Sequence, residues 1–250
     1  MQYSSTLETS IRSRDEIDIR AGKYVSGVYA RMMMGVLLTA VVAYGLVVSG
    51  MMDQILLAGG SVFALGIFVL QFATVMMFRP MMQSASAGKV KALYYFYAAV
   101  TGVTVGFVGM VYTAASILNV FAAAAFAFGG LAAYGHTTRR NLGVVGTFCV
   151  QALWMTVGLS LIYLLSSFVP FLRPFAQTLN ITTGILGVLV FSGLTAYESQ
   201  QLSQNAYTLA RSPASEATIS MYTTSGALTM YLNFINLFFS LLRLFGDRRR

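Results

Sequence analysis

Apolar runs recur seven times along this chain, at 32–49, 55–78, 91–112, 115–134, 143–168, 179–197 and 226–245. Each is close to the roughly 20 residues that, as helix, cross the about 30 Å hydrocarbon layer of a bilayer. No water reaches backbone N–H and C=O groups there, so only helices or a closed barrel can span it. The runs are continuous Leu, Val, Phe, Met and Ala, without the alternation of strands that face lipid and lumen by turns. The fold class that follows is an all-α integral membrane protein with seven transmembrane helices. Composition agrees, because only 10% of the 250 residues are charged, against about 25% in a soluble domain.

Residues 1–31 carry four acids and five bases. They lack the apolar core and cleavage site of a signal peptide and read as a polar arm before a retained first span. Residues 32–246 then form the membrane domain and 247–250 a basic tail. Short connections at 50–54 and 113–114 make neighbouring spans antiparallel, while 198–225 reads as a long, mobile polar loop. Of the sixteen Lys and Arg, eleven fall on the side of the arm, which predicts a cytoplasmic amino terminus. Arg243, Arg248, Arg249 and Arg250 count against that rule if all seven runs cross, and a re-entrant last segment is the alternative. The formal charge of +8 suits loops that meet anionic lipid headgroups and is not read as a nucleic-acid footprint. Cys149 is the single cysteine, so no internal disulfide or thiolate cluster can form.

Of the eight acids only Glu198 touches a span, at the end of the sixth. A carboxylate at membrane depth is costly unless paired, hydrated or protonated, which makes it a functional candidate. The plainer reading places Glu198 in headgroup water just past Tyr197. In the last span Thr229, Asn233, Asn236, Ser240 and Arg243 follow at steps of three or four and so share one helix face. That polar face serves either as interhelical hydrogen-bond glue or as a hydrated pathway with Glu198 at its mouth. Gln71 and Gln151 are expected to pair with facing helices, and Gly102 and Gly106 to permit close helix approach. His136 reads as a solvated loop residue without partner ligands, and the fourteen Met as adaptable packing. The lone histidine lies outside the spans, the spans hold one acid, and no glycine-rich phosphate loop or CxxC pair occurs. No catalysis, metal centre or cofactor is expected.

The sixth and seventh spans carry two specific segments, Gly193-Leu-Thr-Ala-Tyr-Glu198-Ser-Gln-Gln-Leu202 and Ala227-Leu-Thr-Met-Tyr-Leu-Asn233-Phe-Ile-Asn-Leu-Phe-Phe-Ser-Leu-Leu-Arg-Leu-Phe-Gly246. They closely resemble the signature segments of the Bax-inhibitor (transmembrane Bax inhibitor motif) family. Arg20-Ala-Gly-Lys-Tyr, Val111-Tyr-Thr-Ala-Ala-Ser116 and Tyr134-Gly-His-Thr-Thr-Arg-Arg140 resemble its bacterial branch. The resemblance implies a bundle whose last helix is central and wrapped by the other six, acting as a pH-sensitive calcium leak of the bacterial inner membrane. It implies that two aspartates, ending the sixth helix and within the seventh, share a proton. The matching positions here are Glu198, which keeps the charge, and Asn233, a neutral amide, so a paired-proton switch is weakened to Glu198 alone with Asn233 as hydrogen-bonding neighbour. Some members carry a basic residue near the cytoplasmic end of the second helix that pairs with the switch. Arg79 stands in that neighbourhood, and Arg243 is a second possible charge partner.

Two function classes follow. One is a cation leak, with calcium or other cations as the permeant species and the seventh span closing against the sixth. The other, also implied by bacterial relatives, is a binding partner that modulates a membrane-anchored quality-control protease through the amino-terminal arm. Calcium favours several oxygen ligands with net negative charge, and a single intramembrane acid argues for the second class; the retained signature segments argue for the first. Membrane lipids are partners in either.

Overall fold

The computed structural model describes the backbone of residues 2–249 and the side chains from residue 14 onward, except those at 56, 60 and 61. The side chains of Glu8 and Arg12, and all of Arg250, lie outside the described residues. The described residues form eight α-helices: α1 (Gln2–Val48), α2 (Met51–Leu57), α3 (Gly60–Ser84), α4 (Ala87–Val111), α5 (Ala114–Thr137), α6 (Gly143–Leu165), α7 (Ala176–Arg211) and α8 (Glu216–Phe245). A 3-10 turn at Pro170–Phe175 leads into α7. All but α2 are long and apolar enough to cross a membrane. The expected all-α bundle of seven spans is therefore the fold. Gly50 and Gly59, with φ of 70° and 130°, turn the chain at either end of α2, a conformation that a Cβ penalises.

Three boundaries differ from those expected. The described part of the arm continues α1 without a break, and Ala21, Tyr24 and Val28 are buried. The second span begins at Gly60, because 51–57 forms its own short helix. The expected mobile loop at 198–225 is instead mostly helix: α7 runs on to Arg211, and only 212–215 connect it to α8. Pro213 bars continuation of α7, and the Ser215 side chain accepts from the Thr218 N–H at 3.2 Å to cap α8.

α8 is central. Just over half of its most apolar stretch is buried (56%), against 11% for α3 and 17% for α6. Its principal neighbours are α7, α1, α5 and α4, while α3 packs chiefly on α4, and α6 on α7. The expectation of six wrapping helices thus becomes four around α8 with α3 and α6 outside. Aromatic contacts set the packing: Tyr231 meets Tyr94 and Tyr97 of α4 edge-on at 5.9 and 6.0 Å, and Phe234 meets Phe121 and Phe128 of α5 at 5.5 and 5.6 Å. Such edge-to-face pairs add about 0.5–1.5 kcal/mol each beyond burial. Gly102 and Gly106 of α4 do admit close neighbours, Thr39 and Val42 of α1 and Met52 of α2 respectively.

α8 runs the full length of the bundle. After Gly246 the tail is tied to the connection between α4 and α5: the Thr113 N–H donates to the Asp247 carbonyl (3.0 Å), the Arg249 N–H to that of Val111 (2.9 Å), and the Asp247 N–H to the Ser116 hydroxyl (2.9 Å). A re-entrant last segment is therefore corrected. The tail shares the far end of the bundle with α2 and the 3-10 turn, and the near end holds the start of the described α1 and the connections 85–86, 138–142 and 212–215.

Candidate gate between the last two helices

Glu198 lies inside α7, whose helical course is held by close contacts on both flanks. Gly193 lies against the Cys149 thiol, Gly146 of α6 against the Tyr197 ring, and Gly135 of α5 against the Ala196 backbone. A side chain at any of these glycines would push α7 off its neighbours. The two residues after Glu198 are buried and fully engaged. Ser199 donates to the Ala132 carbonyl at 2.7 Å, which uses its one hydrogen, so at 3.1 Å the Tyr29 hydroxyl of α1 donates to Ser199. Gln200 accepts from the Leu142 N–H at 3.0 Å and donates to the Arg140 carbonyl at 2.8 Å, closing the α5–α6 connection onto α7.

α7 and α8 run antiparallel in a fixed register. Gly226 faces Leu202, Gly187 faces Ser240, and Gly184 faces Leu244 and Arg243. Glu198 continues the α7 stripe 184, 187, 191, 194, 202, and Asn233 the α8 stripe 226, 237, 240, 244, so both belong to the surfaces along which the helices meet. In this register Glu198 and Asn233 lie about one turn apart, roughly 5 Å along the axis. Glu198 is half-buried, and Asn233 is 4% exposed. The Asn233 Nδ2 has no hydrogen-bond partner, a condition shared among the described residues only by the Thr104 hydroxyl. A buried donor left unpaired costs about 1–3 kcal/mol, and an acceptor reaching it from the facing stripe would recover that cost.

The other expected site residues divide. Asn236 donates to the Leu232 carbonyl (2.8 Å) and Ser240 to that of Asn236 (2.7 Å), so both bond within α8 and neither supplies the expected interhelical glue. Thr229 is half-buried at the level of Glu198. Arg243 is not brought to Glu198, since thirteen residues of helix beyond the level of Glu198 put it roughly 20 Å away. Arg79 is exposed on α3, which packs chiefly on α4 rather than on α7. Gln71 pairs with the facing helix as expected, donating to the Thr101 hydroxyl at 3.2 Å. Gln151 does not: it is exposed, because the buried face of α6 runs through Gly146, Cys149, Ala152 and Thr156. His136 is exposed but stands in the last turn of α5, not in a loop.

Apart from Gln71 to Thr101, further interhelical polar contacts come from residues the sequence did not single out. The hydroxyls of Thr39 and Tyr231 lie 2.6 Å apart, with the Ala98 carbonyl 2.9 Å from the threonine. Thr39 gives its only hydrogen to a carbonyl, and Tyr231 donates to Thr39, which ties α1, α4 and α8 together. Arg31 of α1 donates to the Ser220 carbonyl (2.6 Å) and the Thr224 hydroxyl (2.7 Å). Their signal was a hydroxyl or guanidinium at helical spacing in an apolar run, which does not distinguish a partner from a lipid-facing position.

The profile of the family described as Inhibitor of apoptosis-promoting Bax1 matches residues 21–250. The chain belongs to this Bax inhibitor family. Its similarity to the inner membrane protein YbhL of Escherichia coli is 38% identity over 240 residues, covering 95% of this chain and 98% of that protein. A protein of Borreliella burgdorferi is 32% identical over 238 residues (95% and 97%), and one of Caulobacter vibrioides 32% over 248 residues (94% of each). The family match opens at Ala21, the first buried residue in the described part of α1, so the shared region coincides with the packed bundle.

Proposed function

We propose that this Bax inhibitor family member is a cation leak of the bacterial inner membrane, passing calcium or related cations, with Glu198 and Asn233 as the gate between α7 and α8. The observation that carries the reading is the orphaned amide of Asn233, one turn from the single carboxylate of the spans on the facing helix. When Glu198 is deprotonated, it can accept from that amide and hold the two helices shut. Protonation removes its charge, and a neutral acceptor makes a bond about half as strong, so the contact loosens as pH falls. The switch is weaker than one built from two carboxylates, because a single group titrates. Thr229, on the α8 face at the same level, would line the opened path, with Asn236 and Ser240 further along. The cytoplasmic amino terminus rests on the eleven bases of the near side, and the inner-membrane location on the similarity to the inner membrane protein of Escherichia coli.

The test is calcium entry into proteoliposomes of the purified protein across pH. Flux that rises as pH falls supports the gate. A protein that forms intact bundles yet passes no calcium at any pH overturns it and leaves modulation of a membrane-anchored protease as the reading. That second reading is favoured by the presence of a single acid in the spans, since calcium prefers several charged oxygens.

A further inference from the structure

At the far end of the bundle, α4, α6, α7 and α8 border an open cavity of about 290 Å³ that includes Thr104, Tyr112, Tyr163, Asn180, Arg243 and Arg248 in its wall. Its polar lining is rich in donors. Two arginines line it, and among the described residues no carboxylate does. The acid next in sequence, Asp247, lines a separate cavity with Ser116 and Asn119. Asn180 is 7% exposed and makes no side-chain hydrogen bond among the described residues, so its amide is presented to this space. The Thr104 hydroxyl is buried without a partner on the same wall.

Arg248 is held in place. Its guanidinium stacks over the Tyr112 ring at 6.0 Å, and its backbone pairs with Tyr112 in an antiparallel bridge that the Arg249 bond to Val111 extends. Arg243 stands in the last turn of α8, where a cation complements the carbonyl end of the helix. That complement explains one arginine but leaves the second guanidinium, the buried amide and the orphan hydroxyl without a purpose. Leaving a buried amide unpaired beside the half-buried Arg243 is costly, and an anion with several oxygens, reached also by the exposed Arg248, removes that cost.

We propose that this cavity is a binding site for a phosphate oxyanion, clasped between the guanidinium groups of Arg243 and Arg248 with Asn180 donating from the side. Guanidinium forks match phosphate oxygens in geometry as well as charge, whereas a cation or a neutral sugar would leave both forks unpaired. The space lies at the membrane end of α8, within reach of both a dissolved phosphate and the headgroup of an anionic phospholipid. The two sources share this chemistry and are separated by experiment.

Thermal unfolding of the full-length protein in detergent is followed while inorganic phosphate replaces chloride at constant ionic strength, and separately while phosphatidylglycerol replaces phosphatidylcholine in mixed micelles. Stabilisation by phosphate identifies a free oxyanion; stabilisation by phosphatidylglycerol alone identifies the lipid. Arg248→Gln and Asn180→Ala are each expected to weaken the effective probe about tenfold, the equivalent of losing one hydrogen bond to a charged group. Arg173→Gln, which removes the same charge from an exposed site outside the cavity, is expected to leave it unchanged. Should Arg248→Gln fail to fold, Asn180→Ala carries the test without a change of charge. Absence of stabilisation by either probe, an undiminished effect in the folded variants, or an equal loss in Arg173→Gln overturns the site.

Discussion

Gly187 of α7 stands so close to Ser240 of α8 that a methyl group on the glycine would overlap the serine hydroxyl. Ser240 is fixed in turn by its bond to the Asn236 carbonyl, so it cannot rotate away without loss. Gly187→Ala is therefore expected to destabilise the bundle by about 1–3 kcal/mol, the usual cost of overpacking. It should read as a lower midpoint of thermal unfolding in detergent. Gly158 of α6 has nothing within 4 Å of where a Cβ would sit, and Gly158→Ala is expected to leave the midpoint unchanged or slightly raised. Equal effects of the two substitutions would mean that the α7–α8 approach is not tight.

The hydroxyl of Tyr231 is the donor in its 2.6 Å contact with Thr39. Tyr231→Phe keeps both edge-to-face ring contacts with α4 and removes only that hydrogen bond, with an expected cost of about 1 kcal/mol. Thr39→Val should cost more, about 1–3 kcal/mol, because it leaves a fully buried tyrosine hydroxyl without its acceptor. The order of the two unfolding midpoints checks the direction of the bond. If Thr39→Val is the milder change, Thr39 is not the acceptor.

The apolar runs made the seven spans legible, because each crossing must bury about 20 residues in hydrocarbon. Gly102, Gly106 and the pairing of Gln71 with a facing helix were legible for a related reason, since small or polar residues deep in a run need a close neighbour. What escaped was helix outside the hydrocarbon. Residues 199–211 are polar and continue α7 because Ser199 and Gln200 are bonded to other elements, a tertiary cause with no periodic apolar signature. Pro213 followed by Ser215 did mark the true break, as a helix stop and a cap. At the site, the sequence could place Glu198 and Asn233 on two helices but not their register, which Gly184, Gly187 and Gly226 determine through packing. It therefore offered Arg243 as a charge partner from the wrong end of α8.

The tail bonded to Val111, Thr113 and Ser116 lies at the opposite end from the Arg139–Arg140 connection. Single cysteines introduced at Arg139 and at Arg249 are thus expected to react oppositely with an impermeant reagent applied to intact cells, Arg249→Cys labelled and Arg139→Cys protected. The buried Cys149 should contribute little background. Labelling of both from the same side would contradict a complete crossing by α8, and a reversed pattern would invert the proposed orientation while leaving the bundle intact.

The proposed gate makes a prediction about proton number. The one carboxylate, Glu198, lies about a turn from a neutral amide, so under the proposal the flux can follow at most the titration of a single group. Its sign is set by the hydrogen bond: the charged carboxylate accepts more strongly from Asn233 than the neutral acid does, so calcium entry should rise as pH falls. Glu198→Gln holds the position in a neutral form and is expected to abolish most of the pH dependence, with flux near the acidic level of the parent at every pH. Asn233→Asp supplies a second carboxylate one turn away. Two like charges at that separation cannot both ionise freely and titrate as a coupled pair, which should change the profile from a shallow single-group curve to a steeper or two-step one. The measurement is calcium entry into proteoliposomes at matched protein density from about pH 5 to pH 8, a range in which folded proteins generally keep their stability. A parent flux that falls on acidification would reverse the assignment of Asn233 as donor to a closed gate. An Asn233→Asp profile identical to that of the parent, with flux robust in both, would remove Asn233 from the gate and leave the orphaned amide to packing alone.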